Sequence, residues 1–251
     1  MIGSGMPETF ELSELLKYII ETITKYQRPV VIPAELGTMI DAVNDAIVEL
    51  ESSGYAESEE VPADVPTELF KYWDTVATAR EAYRHEIAYY FSGDTVELSA
   101  KDATKMLTNW FEQVQVGIAR SFKIGSAGKD DDGKTGVPPG YFYFDVTDWT
   151  NTGKHNAVGL PLATAKSMKV ATLPIFLEGA TRYMKLIKDD SEKMEDMYNK
   201  VKASPLRDHT LKMYFLNADL EDESYDIGRI RSFFPGWLEN ASIFMHMVSR
   251  S

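Results

Sequence analysis

The chain has no cysteine among its 251 residues, which excludes disulfide staples, thiolate metal sites and a cysteine nucleophile. That usage fits a reducing compartment. Positive charge is scarce too: 26 Lys and Arg stand against 39 Asp and Glu, a formal net charge of -13, and no local basic patch interrupts the excess. Such a surface repels a nucleic-acid backbone, so no nucleic-acid partner is expected. No apolar run reaches the length of a membrane span, and the opening "MIGSGMPETFELSELL" lacks the basic and apolar regions of a secretion signal. The reading is a soluble, cytoplasmic protein with no membrane partner.

What is present is ordinary folded-protein usage, 44% hydrophobic and 12% aromatic, in a chain long enough for one large domain or two small ones. Phe10, Leu12, Leu15, Leu16, Ile19, Ile20 and Ile23 fall at helical spacing over 9–25. A second stripe, Leu36 to Leu50, predicts a helix from Pro33 to about Ser53 with Gly54 at its C-terminal cap. The two read as an antiparallel pair over 9–54. A solvated connector, "AESEEVPADVP", leads to a long helix near 66–90, broken by "FSGD". Ser99 or its neighbour then caps a helix to about Ala119 that carries Met106, Leu107, Trp110, Phe111, Val114 and Ile118.

The middle differs in chemistry. Residues 125–140 are rich in Gly, Pro, Asp and Lys, an exposed loop, and "YFYFDVTDW" after them is aromatic and β-branched, which predicts an extended segment and a hairpin or small sheet. A helix is expected from Thr172 or Leu173, with Pro174 in its first turn, then another over "DDSEKMEDMYNKVKAS" and a short extended piece at "LKMYFLNADL". Mostly helical hairpins with short β excursions suit a toroid or solenoid of α-hairpins.

Among local signals of chemistry, "GKTG" lacks the spacing of a phosphate loop and reads as a flexible acidic turn. Histidines 85, 155, 209 and 246 have no metal-ligand spacing, so no metal is expected. Asp145 and Asp148 in "FDVTDW" sit beside aromatics able to stack on sugar, but an Asp-capped turn beside a packed Trp149 explains them better. The richest cluster is "ADLEDESYDIGRIRSFFPGWLENASIFMH". If Asn240 caps a terminal helix, the free amides of its first turn form an electropositive pocket, and Ser242 and His246 share one helix face four residues apart. On spacing alone, Asn240 as a mere cap and His246 packed beside Phe244 and Met247 is the stronger account.

The stretches "WDTVATAREAYR" (73–84), "VPPGYFYFDVTDW" (137–149), "LPIFLEGATRYMKLI" (173–187) and 204–247 together resemble the cellobiose phosphorylase family, glycoside hydrolase family 94, in the C-terminal part of its catalytic region. Family members usually read P-G-x-x-E-N-x-x-I-F-x-H at the last block, which falls here on Pro235, Gly236, Glu239, Asn240, Ile243, Phe244 and His246. The resemblance implies a partial (α/α)6 toroid of antiparallel helical hairpins across 1–251. It implies inverting phosphorolysis of a β-linked oligosaccharide to a sugar 1-phosphate, with inorganic phosphate as co-substrate and no other cofactor. His246, Asn240 and Ser242 are then expected at phosphate, and Arg231, Glu239 and Trp237 at the sugar.

The departures shape the expectation as much. Family enzymes are several times longer and carry a proton-donor aspartate in an earlier segment that is not recognisable here, and Ala241-Ser242 replaces a frequent Gly-Gly. The chain therefore reads as a truncated or split member, inactive alone, with a complementary polypeptide or a homo-oligomer completing it. The alternatives are a non-catalytic helical interaction domain and a glycoside hydrolase on a related toroid.

Overall fold

The computed structural model describes residues 2–55, 64–125 and 136–244. In chain order the elements are β1 (Ile2–Gly5), α1 (Met6–Tyr26), β2 (Val30–Pro33), α2 (Ala34–Ser52), α3 (Thr67–Glu86), β3 (Thr95–Leu98) and α4 (Ala100–Gly125). They continue with β4 (Tyr141–His155), β5 (Pro161–Thr172), α5 (Leu177–Leu186), α6 (Ser191–Ala203), β6 (Arg207–Asp208) and β7 (Met213–Tyr214). The chain forms two compact units, residues 13–117 and residues 1–12 with 118–251.

In the unit of residues 13–117, the apolar stripe of α1 meets that of α4: Leu16 and Ile23 form a core with Ala103 and Leu107, bordered by Ile19, Ile20, Trp110, Phe111 and Val114. Ser99 caps α4, its hydroxyl accepting from the Asp102 amide at 3.1 Å and donating to the Asp102 carboxylate at 2.6 Å. Helix α2 packs along α3 and buries Ile40, Ala46, Ile47 and Leu50. Polar bonds fix the helices in rotation: Trp110 Nε1 donates to Asn44 Oδ1 at 2.7 Å, and Gln115 Nε2 to Ser13 Oγ at 2.7 Å. Strands β2 and β3 pair antiparallel from Val30–Leu98 to Pro33–Thr95. In the first turn of α2, the buried Glu35 carboxylate accepts from the Ser92 amide at 2.7 Å and pins the turn leading into β3. Those bonds from Ser92 hold its carboxyl below the usual carboxylate range.

The other unit is built on an antiparallel sheet of order β1-β4-β5. β1 covers only the first four residues of β4, from Gly5–Tyr141 to Ile2–Phe144. In the same unit Phe10, Phe122 and Tyr183 pack together, with ring centroids 5.4 Å apart for Phe10–Tyr183 and 4.9 Å for Phe122–Tyr183. The chain enters β4 through buried Val137, Pro138, Pro139 and Gly140. Helix α5 approaches there so closely that a Cβ on Gly179 would sit 3.1 Å from the Gly140 Cα. Arg182 of α5 bonds Glu11 of α1, which Lys185 also reaches at 3.1 Å, and the Arg182 hydrogen bond is the largest reason the Glu11 carboxyl titrates low. Asp190 caps α6 by accepting from the Lys193 amide at 3.1 Å.

The partial (α/α)6 toroid is not what forms. Among the described residues there are six α-helices and three small antiparallel sheets, a mixed α/β architecture. A toroid needs each helix to pair with its chain neighbour and successive hairpins to stack. Here β4 and β5, 15 and 12 residues long, stand between α4 and α5, and α4 packs on α1 instead of on its neighbour α3. Helix α5 starts at Leu177, later than the sequence predicts, because Thr172 completes β5 and the Leu173 amide bonds the Tyr141 carbonyl at 3.0 Å. No helix of the described residues is long and apolar enough to cross a membrane.

Candidate functional site

The sequence directs attention to residues 218–246, of which the structure describes those up to Phe244; His246 lies outside the described residues. No helix follows Asn240 as far as Phe244. The backbone instead turns back on itself, with Gly236 at φ +87°, Leu238 at +50° and Ala241 at +45°. The Gly236 amide bonds the Asn240 carbonyl at 2.8 Å, and the Asn240 amide bonds the Trp237 carbonyl at 3.3 Å. Left-handed residues interrupt a helical run, so the expected amide cradle at a helix start gives way to a tight loop.

Asn240 is fully buried at the centre of this loop. Its Nδ2 donates to the Phe233 carbonyl at 2.8 Å, while its Oδ1 is buried without a hydrogen-bond partner among the described residues. Ser242, also buried, donates to the Leu238 carbonyl. Both side chains thus brace the loop from within.

A residue that the sequence reading missed holds the loop from outside. Asn217, fully buried, accepts from the Ala241 amide at 3.2 Å through Oδ1 and donates to the Ala218 carbonyl at 2.9 Å. On either side the backbone forms a short irregular ladder. The Leu216 amide bonds the Ser242 carbonyl at 2.7 Å, the Leu177 amide the Leu216 carbonyl at 2.9 Å, and the Ala218 amide the Ile175 carbonyl at 2.9 Å. The available signal was an amide side chain inside the apolar run "YFLNADL", where burial demands partners.

The three residues expected at a sugar behave differently from one another. Arg231 turns inward, donating to the Glu223 carbonyl at 2.9 Å and to the Glu221 carbonyl, with its guanidinium 4.8 Å from the Tyr225 ring centroid. Glu239 pairs with Arg229 at 3.0 Å. Trp237 is 53% exposed and stands edge-on to Phe233, centroids 5.4 Å apart, with Phe234 and Leu238 also exposed nearby in the chain. Two carboxylates in the acidic segment before them, Asp222 and Glu223, repel each other, and burial with that repulsion raises the Glu223 carboxyl above its ordinary range.

Chemically, the loop offers an exposed indole at Trp237, a carboxylate–guanidinium pair at Glu239 and Arg229, and a backbone braced by the Asn240 and Ser242 side chains. No group of three His, Asp or Glu side chains among the described residues is arranged to hold a metal ion. No protein-family profile matches the chain, and no curated protein matches it either.

Proposed function

We propose that residues 225–242 form a carbohydrate-recognition surface of a cytoplasmic, glycoside phosphorylase-type protein, taking a β-linked oligosaccharide with inorganic phosphate as co-substrate. The observation that carries the reading is Trp237, an indole left 53% exposed on a braced loop, two residues before Glu239, which pairs with Arg229. The axial C–H face of a β-linked sugar is apolar and stacks on such a ring, while its hydroxyls bond to a neighbouring carboxylate and guanidinium.

In inverting phosphorolysis the glycosidic C–O bond breaks, a carboxylic acid delivers a proton to the departing oxygen, and phosphate oxygen bonds the anomeric carbon from the opposite face. None of the groups placed above is assigned the donor role, so turnover by this chain alone is not expected. Asn240 and Ser242 spend their side-chain donors on the carbonyls of Phe233 and Leu238, which leaves the phosphate assignment resting mainly on His246.

Calorimetric titration with cellobiose, laminaribiose and longer β-glucans, with and without phosphate, tests the reading. Saccharide binding is expected, weakened at least about tenfold by Trp237→Ala, with no phosphate consumed. Binding that Trp237→Ala leaves unchanged overturns the sugar surface. A second reading, a non-catalytic interaction domain, is favoured by the inward-turned donors of Arg231, Asn240 and Ser242. Phosphate affinity indifferent to His246→Ala would select it.

A further inference from the structure

The acidic excess of the chain reverses over 198–214, which the sequence reading passed over. Lys200, Lys202, Arg207 and Lys212 stand there against Asp208 alone, in a molecule of net charge -13. The structure gathers part of this segment together, since α6 packs against β6 and β6 pairs with β7. Arg207 lies directly opposite Tyr214 across that hairpin, so their side chains share a face of it. On α6, Tyr198 and Lys202 are four residues apart on one face, with the Lys202 ammonium 6.0 Å from the Tyr198 ring centroid. The Tyr214 hydroxyl bonds that of Tyr198 and joins the two halves.

Asp196 and Asp208 are engaged elsewhere. Asp196 pairs with Lys200 at 2.8 Å. Asp208 accepts from the amides of Thr210 at 2.8 Å and Leu211 at 3.0 Å, and strand alternation puts it on the face away from Arg207. Among the described residues no carboxylate pairs with Arg207 or Lys202. A cation near the C-terminus of a helix answers its dipole, which accounts for Lys202 at the end of α6. It does not account for Arg207, which lies beyond that helix, half-buried, with no acceptor for its guanidinium among the described residues. Of the two phenol protons, one is used between Tyr198 and Tyr214 and the other remains to donate. Burial, then that bond, raises the Tyr214 phenol above the ordinary tyrosine range, so it stays a neutral donor at pH 7.

We propose that Arg207, Lys202 and the Tyr198–Tyr214 pair form a binding site for a phosphate group, borne by inorganic phosphate or by a phosphate monoester. The guanidinium fork grips two phosphate oxygens side by side, the ammonium supplies a second charge and a phenol supplies a neutral donor. Two cations match the roughly −1.5 to −2 charge that a phosphate ester carries at neutral pH. The Trp237 loop and His246 take no part, so the inference is independent of the carbohydrate reading.

Calorimetric titration of the His246→Ala chain with inorganic phosphate and, separately, with glucose 1-phosphate tests it, because that background removes the histidine on which the other phosphate assignment rests. Saturable binding near about 1 mM is expected, weakened at least about tenfold by Arg207→Gln, about threefold by Lys202→Gln, and not at all by Lys154→Gln on β4. Arg207→Lys, which keeps the charge and loses the fork, should fall between the parent and Arg207→Gln. Lys202 is exposed, so its replacement keeps the test valid even where Arg207→Gln fails to fold. Tighter binding of the free ion assigns the site to inorganic phosphate, and tighter binding of the ester assigns it to a phosphorylated ligand. No saturable binding of either by about 20 mM overturns the proposal. So does an affinity that Arg207→Gln and Lys202→Gln leave unchanged, or that Lys154→Gln weakens equally, since phosphate then answers positive charge in general.

Discussion

β4 and β5 run from a root paired with β1 and close to α5 to an arm whose residues 145–164 are exposed, and similar residues do different work in the two halves. At the root, Phe142 and Met168 are 5% and 3% exposed, and Tyr141 stands edge-on to Phe176 at 4.8 Å. In the arm, Trp149 and Leu162 are 60% and 42% exposed. The root is held by apolar burial, the arm by its ladder and by local bonds such as Thr152 Oγ1 to the Leu162 carbonyl at 2.8 Å. A ladder can therefore continue well past the core that nucleates it, but it then adds little apolar burial to the fold.

The largest expected effect tests the root. Phe142→Ala removes the buried ring of a β4 residue that pairs with both β1 and β5 and should cost about 3–5 kcal/mol, read as a lower urea midpoint at unchanged slope. A cost below about 1 kcal/mol would mean that the root is as loosely held as the arm.

Next is the close approach that seats the entry to β4. Gly179→Ala places a methyl 3.1 Å from the Gly140 Cα and 3.3 Å from the Pro139 carbonyl oxygen, both backbone atoms that cannot swing aside. Overpacking of about 1–3 kcal/mol, partly offset by the better helix propensity of alanine, leaves a net loss of about 1 kcal/mol. A stabilised Gly179→Ala protein would show that α5 can move off the root.

A smaller effect is visible in pH. Tyr141 at the start of β4 donates to Glu178 Oε2 at 3.3 Å, and burial, then the negative charges of Glu178 and Glu8, raise its phenol well above the ordinary tyrosine range. A raised folded value means that the folded state favours the protonated phenol. Its contribution is thus complete below the unfolded value of about 10 and lost as pH rises through the folded one. Tyr141→Phe should lower stability by about 0.5–1 kcal/mol at neutral pH and remove part of the alkaline decline in thermal midpoint. An identical decline in both proteins would place its origin in other groups.

The root and the arm also mark what the sequence could disclose. The aromatic, β-branched run 141–149 announced a strand, and the stripes of α1, α2 and α4 announced helices, because periodicity is a local property. β1 is the sequence "IGSG", with no β preference, and is a strand only because β4 pairs with it. The toroid failed for the same reason: which helix packs on which is decided by elements far apart in sequence. At the candidate site, the sequence named Trp237 and Glu239 for sugar contact; the loop leaves Trp237 exposed and pairs Glu239 with Arg229. That no helix follows Asn240 as far as Phe244 was not legible, since Leu238 and Ala241 adopt left-handed conformations that their identities do not advertise. Asn217 escaped because its importance lies in an amide 24 residues away.

The smallest expected effect is the one most diagnostic of the arm. Trp149 stands opposite Ala165, beyond the bulges that follow Val146, with more than half of its surface in solvent. Its truncation opens no enclosed cavity and orphans no buried polar group, the two usual sources of large losses. Trp149→Ala should therefore shift the unfolding free energy by less than about 0.5 kcal/mol when measured dilute enough that only monomer is present. A loss that appears only at higher concentration belongs to contact between copies, because mass action ties apparent stability to protein concentration. A loss above about 1 kcal/mol in the monomer would instead mean that the arm folds back onto its own chain, and the contrast between root and arm would disappear.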